Sequence, residues 1–227
     1  MKALLTILFV LTAGHFTFTQ LQQAAQMAPD SVEISVHAGS DNKEMQQLMT
    51  RVLHIEKLHF ESHSLRLTGK RFHLTFQEYK NGIADSEKEL VGNGERLTKY
   101  DQQGNFVMDV FARQTSENSL ENQFLFTNGA TKKTFTALPG KGADYSLSER
   151  IWPYKVVRNA ASVPDQQPTS KRNFAIGRKV PFLVYTLPYE KDGWLLYCDL
   201  IQSKVPVNEW YSKFKIPHFI VYNLLIE

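Results

Sequence analysis

The chain has one cysteine, Cys198, in 227 residues. A single cysteine rules out an intramolecular disulfide, so the fold must rest on its apolar core. Asn-x-Ser/Thr glycosylation acceptors are absent. Both absences suit an exported bacterial protein better than a eukaryotic secreted one. Net charge is small as well, +3 at pH 7. An excess that low gives no reason to expect nucleic acid or an anionic membrane as partner. The basic pairs Lys70-Arg71, Lys132-Lys133, Lys171-Arg172 and Arg178-Lys179 are scattered and read as solvated surface.

Several catalytic signatures are missing. No G-x-S-x-G elbow for a serine hydrolase occurs. "LPGKGADYS" lacks the spacing of a phosphate-binding loop, and no G-x-G-x-x-G follows a strand pattern. No acidic calcium loop is present. His54, Glu56 and His59 spell H-x-E-x-x-H rather than the zinc-protease H-E-x-x-H. On a helix, residues five apart sit about 140° apart and cannot share one ion in that form. Carboxylates are plentiful, but no pair stands out for acid–base work.

What is present begins at the N-terminus. "MKALLTILFVLTAGHFTFTQ" has Lys2, an apolar run from Ala3 to Ala13, and a segment of smaller residues to Thr19. That is the pattern of a secretory signal peptide over residues 1–19. The run falls short of the about 20 residues that span a bilayer, and no second long apolar run follows. The expectation is export, to the periplasm or outside the cell, with no integral membrane segment in the mature chain. Residues 20–227 then form one β-rich domain. The hydrophobic fraction of 42% and charged fraction of 22% are those of an ordinary globular domain.

Asp41 with Glu44 three residues on predicts a capped helix over about 42–54. Met45, Leu48, Met49, Val52 and Ile55 form a stripe on it, expected to pack on the core. Thereafter the period becomes two. Phe72, Leu74 and Phe76 alternate with Arg71, His73, Thr75 and Gln77, which is a half-buried strand. Leu58 and Phe60 show the same spacing before the Gly69 turn. Asn81-Gly82, Gly92–Gly94 and 101–105 are turn signals. "FVMDVFAR" and "NQFLFTNG" read as a hairpin. "KVPFLVYTL", "GWLLYCDLI" and "HFIVYNLLI" are late strands. "VNEWYSKF" predicts a short helix capped by Asn208, with Trp210 and Phe214 on one side. Residues 139–173 are irregular. The fold class is therefore mainly β, a β-sandwich-like antiparallel sheet, with a short N-terminal helix and one short helix before the last strand.

Three constellations carry chemistry. Cys198 with His218 has the residue types of a nucleophile and base, but Cys198 lies between Leu196 and Leu200 and reads as an apolar filler. His59, Glu61 and His63 share one face of a strand, and His73 lies on the polar face of the next strand pattern. On adjacent strands these four would form a metal face or an enzyme site. Trp152 and Tyr154 in the irregular segment, with Trp194, are candidates for stacking on a sugar ring or an apolar peptide.

"LTGKRFHLTFQEYKNG" (67–82) and "DGWLLYCDLIQSKVPVNEWYSKFKIPHFIVYNL" (192–224) resemble an uncharacterised family of small exported proteins of Bacteroidetes-type bacteria, a domain of unknown function. The resemblance implies a periplasmic or surface address and carries over no activity or catalytic residue, and no cofactor is expected. The expectation is a non-catalytic binding or structural protein with a glycan, peptide or protein partner at the cell envelope. The alternative is a metal-dependent or hydrolytic enzyme on the His/Glu face.

Overall fold

The structure is a computed structural model that describes residues 30–91, 99–138, 144–148, 157–158, 169–197 and 205–227, with only the backbone given at 157–158 and 169. The segment expected to be a signal peptide lies outside the described residues. So do Trp152, Tyr154 and Cys198.

Among the described residues fifteen strands follow one another: β1 (Ser31–Ala38), β2 (Glu56–His63), β3 (Phe72–Lys80), β4 (Ile83–Ala84), β5 (Lys88–Glu89), β6 (Asn105–Ser116), β7 (Ser119–Phe126), β8 (Gly129–Thr136), β9 (Ser146–Ser148), β10 (Val157–Arg158), β11 (Thr169–Ala175), β12 (Val180–Thr186), β13 (Tyr189–Lys191), β14 (Trp194–Leu196) and β15 (His218–Ile226). A helix α1 (Lys43–Gln47) continues into a π-helical turn (Leu48–Val52), and a 3-10 turn (Val207–Glu209) leads into α2 (Trp210–Phe214). The protein is mainly β, as its alternating pattern requires.

One sheet has the order β10-β11-β1-β2-β6-β7-β8, a second β4-β3-β15-β12-β9 with β5 also on β3, and β13-β14 form a two-stranded third. All their strand pairings are antiparallel. The inner faces meet through aromatic contacts: Phe60 on Phe182 at 5.5 Å, Phe72 on Phe106 at 5.2 Å, and Phe124 on Tyr222 at 5.0 Å between ring centroids. Truncating a buried ring of this kind to alanine costs about 3–5 kcal/mol.

The strand β15 is central, between β3 and β12. Its outer face is also covered, since Trp210 lies 5.2 Å and Tyr79 4.6 Å from the Phe219 ring. That is why "HFIVYNLLI" reads as a nearly continuous apolar run. The α2 helix that carries Trp210 ends at Lys215, which has φ +57°. The expected cap, Asn208, instead sits within the 3-10 turn.

Three further expectations change. The cap of α1 is Asn42, whose side chain accepts from the Met45 amide at 3.0 Å, rather than Asp41. Of the apolar stripe, Met49 is buried, whereas Met45, Leu48 and Val52 are exposed. Helical spacing shows which residues share a side, but not whether another element lies against it. The pair Lys171-Arg172 is split by strand alternation. Lys171 reaches Glu33 at the surface at 2.7 Å, and Arg172 is buried at 1% exposure.

Candidate functional site

The strand pairs β1–β2 and β2–β6 fix a polar row on the outer face of the seven-stranded sheet. Their register sets His37 opposite His59 and His59 opposite Asp109. Glu61, two residues beyond His59, projects from the same face. The contacts are short: His59 Nδ1 to Asp109 Oδ1 2.9 Å, His37 Nε2 to Glu61 Oε1 3.2 Å, and His59 Nε2 to Glu61 Oε2 3.6 Å. Lys57 Nζ lies 3.1 Å from Asp109.

The hydrogen bond to Asp109 raises the His59 pKa above its ordinary value, against the effects of burial and Lys57. Burial acts to raise Asp109 and Glu61, but their imidazole partners outweigh it, with Lys57 helping at Asp109. Both carboxyls titrate below the usual range. The row therefore favours a protonated His59 between two carboxylates.

Of the four residues expected to share a metal face, His59, Glu61 and His63 lie on one face of β2, and His59 contacts Glu61. His63 lies at the end of β2 with Asn105 at 2.7 Å. His73 stands on the other sheet, where it contacts Glu227 at 3.1 Å. The chain crosses between sheets after His63, so consecutive strand patterns are not neighbours here. Among the described residues no three or more His, Cys, Asp or Glu side chains are arranged to hold a metal ion. His37 and Asp109 are the partners that sequence reasoning missed. Their polar positions in alternating strands are a signal, but only the register places them beside His59.

A second titratable chain lies inside the sandwich. His218 Nε2 is 2.9 Å from Glu78 Oε1, and His218 Nδ1 is 2.5 Å from the Tyr145 hydroxyl. That hydroxyl also accepts from the Leu138 amide at 3.0 Å. The His218 side chain is 0% exposed. Burial pushes Tyr145 up to about 12, so the phenol stays neutral. Both ring nitrogens of His218 are engaged, and neither is open to a thiol in this arrangement. The chain ties β3, β15 and the segment before β9 together. Close by, Glu56 on β2 accepts from the Leu147 amide and from Ser146 Oγ.

The aromatic candidate within the described residues is Trp194, which is 73% exposed, with Leu195 also exposed. It follows the Asp192-Gly193 turn, both of whose φ values are positive (+53° and +79°), at the tip of the β13–β14 hairpin. The hairpin base is fixed, because Tyr189 is buried against Phe214 at 5.3 Å. A rigid base with a bare indole at the tip suits contact with a flat apolar or sugar surface. Trp210, by contrast, is a core residue.

No helix among the described residues is long and apolar enough to cross a membrane. Comparison with known proteins gives no match among family models, curated proteins or solved structures.

Proposed function

We propose that this is an exported, non-catalytic binding or structural protein of the cell envelope, and that its β13–β14 hairpin is a contact surface for a glycan, peptide or protein partner. The observation that carries the reading is the exposure of Trp194 and Leu195 on a hairpin anchored by Tyr189. An indole on a solvated tip adds nothing to the core, whereas aromatic anchors dominate the energy of contact surfaces. The signal-peptide pattern of residues 1–19 supports export. Binding of the purified protein to glycan and peptide arrays tests the proposal. Saturable binding that Trp194→Ala weakens at least about tenfold supports it. Binding to neither array, or binding that Trp194→Ala leaves intact, overturns it.

A further inference from the structure

The seven-stranded sheet has a split. β1 pairs with β11 as far as Ser31 opposite Ala175, and β2 pairs with β6 as far as His63 opposite Asn105. The two strands pair with each other only from Ala38–Leu58 to Ser35–Glu61. Continuing that register would set Glu33 opposite His63, and that pair does not form. Each strand follows its outer neighbour, and the sheet opens between them into a cleft of about 330 Å³.

Side chains hold the cleft open. Ser62 Oγ donates to the Glu33 carbonyl at 2.6 Å, and an Arg66 guanidinium nitrogen donates to the Ser31 carbonyl at 3.0 Å. Those bonds give the two carbonyls partners where the β1–β2 ladder has ended. A split sheet without such substitutes would leave unpaired backbone groups.

The lining selects the ligand. Val32 is the one aliphatic residue in it, and serines, two glutamates, His63 and Arg66 make up the rest. The two carboxylates of the lining already have partners within the protein. Glu33 holds Lys171 at 2.7 Å, Glu61 holds His37 at 3.2 Å, and Arg66 is turned onto the Ser31 carbonyl. A cationic ligand would have to displace Lys171 or His37. Ser35 offers a hydroxyl that can donate and accept, Ser62 keeps its acceptor capacity beside the bond to Glu33, and Ser64 keeps its proton beside the amide of Arg66 that it accepts. A volume near the lower end of small-molecule sites suits a molecule of one or two sugar rings.

We infer that the β1–β2 cleft binds a small, uncharged, polyhydroxylated ligand, a mono- or disaccharide. The site shares no residue with the Trp194 hairpin and does not depend on it.

The test is an NMR titration of the whole protein with glucose, galactose, N-acetylglucosamine and maltose, following the His63 ring. Glycine and inorganic phosphate serve as charged probes. The expected result is a saturable shift with at least one sugar, up to about 50 mM, in the weak-affinity range of a small ligand. Ser35→Ala, on the wall and outside the bonds that hold the cleft open, should weaken that binding about three- to tenfold. Ser62→Val should weaken it further, and circular dichroism reports whether that variant still folds. Absence of saturation with every sugar overturns the inference. So does tighter binding of glycine or phosphate, or sugar binding that Ser35→Ala leaves intact.

Discussion

Glu78 and His218 meet inside the sandwich at 2.9 Å, on adjacent strands β3 and β15, with the imidazole closed to solvent. Neither residue is near the other in sequence, and neither lies on an expected polar face. Their contact, extended to Tyr145, fastens the entry of the last strand to the segment before the edge strand β9.

The first prediction concerns this chain. His218→Ala removes one of the two partners of the Glu78 carboxylate, the other being Lys80 at 2.9 Å, and leaves a void, so it should cost about 2–4 kcal/mol. Tyr145→Phe removes one hydroxyl and should cost about 1–2 kcal/mol. Urea denaturation of both variants gives the comparison. A Tyr145→Phe loss larger than that of His218→Ala would contradict the ordering.

The outer row of histidines makes stability depend on pH in two directions. His59 has a raised folded pKa, so its contribution is complete below about 6.5, the unfolded value, and is lost as pH rises through the folded value. Asp109 and Glu61 have lowered folded values, so theirs is complete above about 4 and is lost as pH falls through those values. The row should contribute most between about pH 4 and 6.5. NMR titration should place the His59 midpoint above 6.5, and Asp109→Asn should lower it. An unchanged midpoint in Asp109→Asn would remove the carboxylate as the cause.

The buried Asn122 amide donates to the Tyr222 hydroxyl at 2.5 Å. Tyr222→Phe strands that donor in the core and should cost about 1–3 kcal/mol. Asn122→Leu combined with Tyr222→Phe should cost less than the sum of the two single changes, because no polar group is then left alone. Chemical denaturation of the four-member cycle measures the coupling, and strict additivity would rule it out.

Two tryptophans should behave oppositely. Trp194→Ala changes an exposed tip and should alter stability by less than about 0.5 kcal/mol. Trp210→Ala empties a packed site against Phe219 and should cost about 3–5 kcal/mol. Thermal denaturation of both variants separates a surface residue from a core one. A large loss for Trp194→Ala would assign it to packing.

Much of the strand pattern was legible. Phe72, Leu74 and Phe76 face the core as their spacing requires. The Asn81-Gly82 turn, with φ of +50° and +83°, sits where the dipeptide predicts. The candidate site was legible only in fragments. His59 and Glu61 share a face because side chains alternate along a strand, which is a local rule. His37, Asp109, Glu78 and Tyr145 entered through strand pairing, which has no local signature.

The sequence by itself determined which residues of a strand share a face and where the chain reverses. Side-chain alternation and the backbone freedom of Asn-Gly and Asp-Gly are properties of a few neighbouring residues. Tertiary structure alone decided that β2 and β3 belong to different sheets, that Arg172 is buried while Lys171 is not, and that His218 lies between Glu78 and Tyr145. Those outcomes depend on register and on which face another layer covers. They are settled by the summed packing of distant strands, so no short stretch of the chain contains them.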